Sequence, residues 1–278
     1  MIRKVKLGHL FRDMWLILRL QTLNILLLLV ATAFVITAVE IGLAAAFEPN
    51  NANLVSFFAT VVLIAPVGVI FYRRALGIQT TDRLISTSWS LALAQILVYL
   101  LFVILTVFAL MLLVLMTGIM AAAGGFDPSA IDFNELELGA AASSLGTTGQ
   151  FLLSAIVITT IFSLIWVGVR LTIFGVATVA KRRVMVFRTW AWTKGNAWRI
   201  AIFYLVVLTP VVLLAIWLSD SDGLTFVEIG SHSLHETWLN SIIANSLRII
   251  PSFLIGHAAA LAVYRQLAPV AASTEALS

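Results

Sequence analysis

Apolar residues in this chain come in long blocks separated by short polar stretches, and that spacing predicts the elements. Six blocks, at about 20–46, 54–72, 91–123, 150–178, 200–218 and 242–264, are each long enough to cross a hydrocarbon layer of roughly 30 Å, which takes about 20 helical residues. None shows the in-out alternation of a barrel strand, and an isolated strand in lipid would leave its backbone groups unpaired, so each block is predicted to be a helix. The fold class expected is all-α: one polytopic membrane domain over 1–278, with six transmembrane helices, an interfacial segment at 1–19 and a tail at 265–278. The first block exceeds the 7–15 apolar residues of a leader core and is expected to be retained as a span.

The polar stretches sort by charge. Arg3, Lys4, Lys6, Arg12 and Arg19 precede the first block, and Arg73, Arg74 and Arg83 lie between the second and third. Lys181, Arg182, Arg183, Arg188, Lys194 and Arg199 lie between the fourth and fifth, and Arg265 follows the sixth. The alternate connections hold acids instead: Glu48, then Asp127, Asp132, Glu135 and Glu137, then Asp220, Asp222, Glu228 and Glu236. By the positive-inside rule both termini are expected in the cytoplasm, with the chain a multi-pass protein of the cell inner (plasma) membrane.

Each odd-numbered block is preceded by a stretch mixing charge, aromatic and apolar residues and marked by Trp15, Trp89 or Trp190. "YRRAL" after the second block matches "YRQLA" after the sixth. Together these predict three units, each an interfacial helix followed by a transmembrane hairpin.

The densest such stretch is "KRRVMVFRTWAWTKGNAWRI". Val184, Phe187 and Ala191 recur at helical spacing, which predicts an amphipathic helix lying on the membrane surface over 181–194. Tryptophan favours the head-group layer, and lysine and arginine reach phosphate while their stems lie on acyl chain. Lys181, Arg182, Arg183, Arg188, Trp190, Trp192, Lys194, Trp198 and Arg199 are therefore the candidate lipid-head-group or interface anchors, and membrane lipids, chiefly anionic ones, the expected partners. Two charges fall inside the opposite ends of the blocks. Glu40 and Arg248 sit roughly 9 Å below the outer surface at a 1.5 Å rise per residue, and an intramembrane ion pair between them is expected if the first and last spans meet.

Composition agrees: 61% of residues are hydrophobic, 11% are charged and mean hydropathy is +1.06, against about 25% charged in soluble domains. The sequence pI near 9.8 would suggest nucleic acid in a soluble chain, but here the basic residues adjoin spans, and no nucleic-acid partner is expected. With no cysteine there is neither a disulfide framework nor a thiolate site. His232, His235 and Glu236 in "SHSLHETW" do not match the spacing of zinc hydrolases, and no phosphate-binding, dinucleotide or nucleophile-elbow motif occurs. No cofactor and no enzymatic activity are expected. The expected role is a non-catalytic module organising lipid or a partner at the cytoplasmic face. The alternative is a transporter or channel for a small or lipidic solute, lined by Asn245, Arg248, Pro251, Gly256 and His257 of the sixth block.

The run from Val167 to Val212 carries Trp190, Thr193, Gly195, Trp198 and Arg199 in the pattern W-x-x-T-x-G-x-x-W-R, leading into an apolar helix. It resembles bacterial six-span proteins grouped under the glycerophosphoryl diester phosphodiesterase membrane domain. The family takes its name from multidomain relatives with a separate soluble catalytic barrel. The resemblance thus implies a membrane module and not phosphodiesterase activity.

Overall fold

A computed structural model describes residues 4–78, 82–123, 147–220 and 234–268. Every regular element among them is helical: α1 (Leu7–Ala46), α2 (Pro49–Leu76), α3 (Leu84–Ala123), α4 (Thr147–Leu171), α5 (Phe174–Lys181), the single turn α6 (Thr189–Trp192), α7 (Ala197–Asp220) and α8 (Leu234–Leu267). Six stretches are long and apolar enough to cross a membrane: Ile25–Leu43, Leu54–Leu76, Leu84–Ile119, Thr147–Lys181, Ala197–Trp217 and Ile242–Leu267. The chain is an integral, multi-pass membrane protein.

Two expected boundaries move. The mixed stretches before the first and third blocks are not separate interfacial helices; α1 and α3 each run unbroken for 40 residues. At 1.5 Å per residue each is about 60 Å long, twice the hydrocarbon thickness, and neither has an internal proline to interrupt it. Conversely, the fourth block divides at Thr172 and Ile173, where the Thr172 hydroxyl donates to the Val169 carbonyl at 3.0 Å and a new helix, α5, begins.

The chain divides into two compact units, residues 1–97 with 169–278, and residues 98–168. In the first, α1 packs along α2 and α8, α7 packs on α8, and the short α5 wedges against α2 and α8. Its interior is lined by Ile25, Leu29 and Ile36 of α1, Phe71 of α2, Phe203 of α7 and a run from Ala258 to Tyr264 on α8, all buried. Small residues let these backbones approach. A β-carbon on Gly68 would lie 3.1 Å from the Leu91 side chain and 3.3 Å from His257 Nε2, and one on Gly175 would lie 3.3 Å from the Tyr72 hydroxyl. Among the described residues His257 packs against aromatic rings. Its ring stacks on Phe253 at 3.8 Å between centroids and on Tyr72 at 5.0 Å, and its Nδ1 lies 2.9 Å from the Phe253 carbonyl. In the second unit the described parts of α3 and α4 present exposed Ile104, Phe108, Met111, Ile158 and Phe162, the composition of surfaces that lipid covers.

Candidate membrane-interface site

The segment from Lys181 to Arg199 is not the continuous surface helix that its spacing predicts. Arg182 adopts a left-handed conformation (φ 51°) and ends α5, its N–H and that of Arg183 closing back on the Thr178 carbonyl. The chain then runs through turns, with helical geometry returning only over Thr189–Trp192. The reason lies in what is buried. A helix facing lipid through Val184, Phe187 and Ala191 would leave the polar threonines outside, whereas here Met185, Val186, Thr189, Thr193 and Asn196 point inward and Phe187 is exposed.

Each inward polar side chain is hydrogen-bonded, the threonines locally and Asn196 across the fold. The Thr178 hydroxyl accepts the Met185 N–H at 3.2 Å, the Thr189 hydroxyl donates to the Val186 carbonyl at 2.6 Å, and the Thr193 hydroxyl donates to the Trp190 carbonyl at 3.1 Å. Gly195 at φ 79° makes the last turn, in a region where a side chain would be strained, and brings Asn196 to the start of α7. Asn196 Oδ1 accepts the N–H of Val5 at 2.8 Å while Arg199 donates to the Val5 carbonyl at 2.8 Å. Gln266 Oε1 accepts the next N–H, of Lys6, at 3.1 Å. The N-terminal stretch is thereby tied to the bundle, and Leu10, Ile17 and a Phe11–Phe203 ring contact at 5.0 Å continue the packing along α1.

What remains outside is the chemistry expected of an interface. Arg182, Arg183, Arg188, Lys194 and Arg199 are exposed, Lys181 is half-buried, and Phe187, Trp190 and Trp198 expose 67%, 40% and 56% of their surfaces among those cations. Three candidate anchors also hold the protein together. Arg199 is bonded to Val5, Trp192 lies 6.0 Å from the Tyr264 ring, and Trp190 receives Arg170, which donates to its carbonyl at 3.3 Å and lies 5.4 Å above its ring.

At the other end of the bundle α1 and α8 do pack together, but Glu40 and Arg248 form no direct ion pair. Asn245 stands between them, donating through Nδ2 to Glu40 Oε2 at 2.8 Å and to the Thr37 hydroxyl at 3.0 Å, and accepting from Arg248 on Oδ1 at 2.8 Å. Elsewhere Arg12 and Asp13 form an ion pair at 3.8 Å. An amide that donates on one side and accepts on the other serves both charges at once. Of the sequence motifs, His232 and the acids Asp127, Asp132, Glu135, Glu137, Asp222 and Glu228 lie outside the described residues, and so does the tail beyond Ala268. No group of metal-binding side chains occurs among the described residues. Comparison with protein-family models, with curated proteins and with solved structures finds no match.

Sequence does not single out Val5 or Thr37, and marks Asn196 only, with Gly195, as a helix break. Nothing local marks Val5, while the Gly-Asn turn before an apolar run marks Asn196 as a helix start and only the folded chain shows its second bond.

Proposed function

We propose that this protein is a non-catalytic inner-membrane module, with both termini in the cytoplasm, whose basic end engages anionic lipid head groups. One observation carries the reading: between Lys181 and Arg199 every inward polar side chain is hydrogen-bonded, while cations and aromatic rings are turned outward together. Such a surface needs no protein partner to be stable at a bilayer, since anionic lipid attracts each basic residue near the surface by about 1 kcal/mol and the rings occupy the head-group layer. The resemblance of the 190–199 motif to the six-span membrane-domain family supports the same reading.

The test uses the intact chain in vesicles. With Arg182, Arg183 and Arg188 replaced by Gln, the ratio of anionic to zwitterionic lipid co-purifying in mild detergent is expected to fall while the protein remains folded. An unchanged ratio would sink the proposal.

A further inference from the structure

A cleft of about 180 Å³ opens between α2 and the first turns of α3, lined by Val62 and Pro66 on one side and Leu84, Ile85, Ser88, Trp89 and Ala92 on the other. Of its polar groups the Ser88 hydroxyl is already engaged, donating to the Leu84 carbonyl at 2.9 Å, and apart from the Trp89 indole N–H the rest of the side-chain lining is hydrocarbon. The volume equals roughly six waters at about 30 Å³ each, below the roughly 300 Å³ where ordinary ligand pockets begin, and a helix about 10 Å across cannot enter it. An extended hydrocarbon chain can. The cleft also starts at the right height, because Ser88 and Ala92 lie about 6 and 12 Å along the helix from Leu84, and Trp89, 60% exposed, stands at its rim.

Immediately before α3 stands Arg83, exposed and held at φ 59°, a left-handed conformation rare for a residue with a side chain. Its carbonyl accepts the Ser86 and Thr87 hydroxyls at 3.1 and 2.9 Å and the Thr87 N–H at 3.0 Å. The Thr87 hydroxyl is in turn gripped by the buried Arg73 at 2.8 Å. The turn is thus fixed from both helices, with the Arg83 guanidinium left outward. Asp82 is the neighbouring acid in sequence, and Arg74 and Arg83 are both exposed.

We propose that this cleft is a site for one phospholipid, its acyl chain lying between α2 and α3 and its anionic head group beside Arg83. The site rests on the membrane placement of α2 and α3 and not on the surface at 181–199, so the two readings fail separately.

The full-length chain, reconstituted with phosphatidylglycerol or phosphatidylcholine carrying a diazirine in the acyl chain, is irradiated and the labelled peptides are mapped. Label is expected to concentrate on the α2 and α3 peptides that line the cleft, with about a fivefold preference for phosphatidylglycerol. Ile85→Trp fills the cleft from its open side at an exposed position and should lower that label at least fivefold; Ala92→Leu should do the same from within. Arg83→Gly suits the backbone and should keep the label but lose the head-group preference. Replacing Arg188 and Lys194 should leave the cleft label intact. Label spread evenly over the exposed faces of α3, or undiminished in both cleft-filling variants, or equal from the two lipids in the unaltered chain, overturns the proposal.

Discussion

Asn196 accepts the backbone N–H of Val5 at 2.8 Å across 191 positions of sequence, and both residues are 99% buried. A single amide oxygen thereby joins the N-terminal stretch to the turn that opens α7. Arg199, three residues on, takes the Val5 carbonyl. Replacing Asn196 with Leu leaves a buried donor without its acceptor, which costs about 1–3 kcal/mol. The expected outcome is a lower unfolding midpoint in detergent, with faster hydrogen exchange at Val5 and Lys6, just before α1, than within α1 itself. Slow exchange at those two amides in the variant would show that apolar packing, and not Asn196, holds the segment.

Arg170 bears on a second prediction. From its position near the end of a span it reads as a cation reaching outward to head groups, for which lysine would serve. The structure instead lays its guanidinium over Trp190 and bonds it to that residue's carbonyl. Lysine lacks the planar group that stacks and donates at once, so Arg170→Lys is expected to cost about 0.5–2 kcal/mol. Trp190→Leu removes the ring but keeps the carbonyl and should therefore shrink the difference between Arg and Lys at 170, as a double-mutant cycle of unfolding energies would measure.

Glu40 and Arg248 should be energetically coupled only through Asn245. Interhelical hydrogen bonds in membrane proteins average about 0.6 kcal/mol and reach about 1.7 kcal/mol, which sets the scale for the Glu40→Gln, Arg248→Gln cycle. In an Asn245→Leu background that coupling is expected to vanish. Its persistence would mean that the two charges interact directly.

Gly68 faces both Leu91 and His257 across a helix crossing, with 3.1 and 3.3 Å available to an added β-carbon. Gly68→Ala requires a shift of a few tenths of an ångström, while Gly68→Leu overpacks the crossing and is expected to cost about 1–3 kcal/mol or more. Thermal unfolding in detergent should rank glycine above leucine, and a His257→Ala partner should recover part of the loss by vacating space. No recovery would place the strain at Leu91 alone.

The long apolar blocks sufficed to locate six membrane-crossing helices, because the bilayer imposes a length and a composition on each segment independently of its neighbours. Charge at the segment ends likewise marked the basic and aromatic residues that the folded chain leaves exposed between Arg182 and Arg199. Interfacial stretches and helix breaks were less legible. The apolar period through Val184, Phe187 and Ala191 gives an amphipathic helix for a segment considered alone, whereas tertiary contacts bury Thr189, Thr193 and Asn196 and expose Phe187.

By itself, then, the sequence determined that the chain spans a membrane as helices and which connections are basic. Only the tertiary structure decided that Val5 is a buried anchor, that Arg170 stacks on Trp190, that Asn245 separates Glu40 from Arg248, and that α2 and α3 leave a cleft. The physical reason is range. Hydrophobic thickness and charge act on each segment separately and are written in its own residues, but a hydrogen bond between positions 5 and 196 exists only once the helices between them have packed.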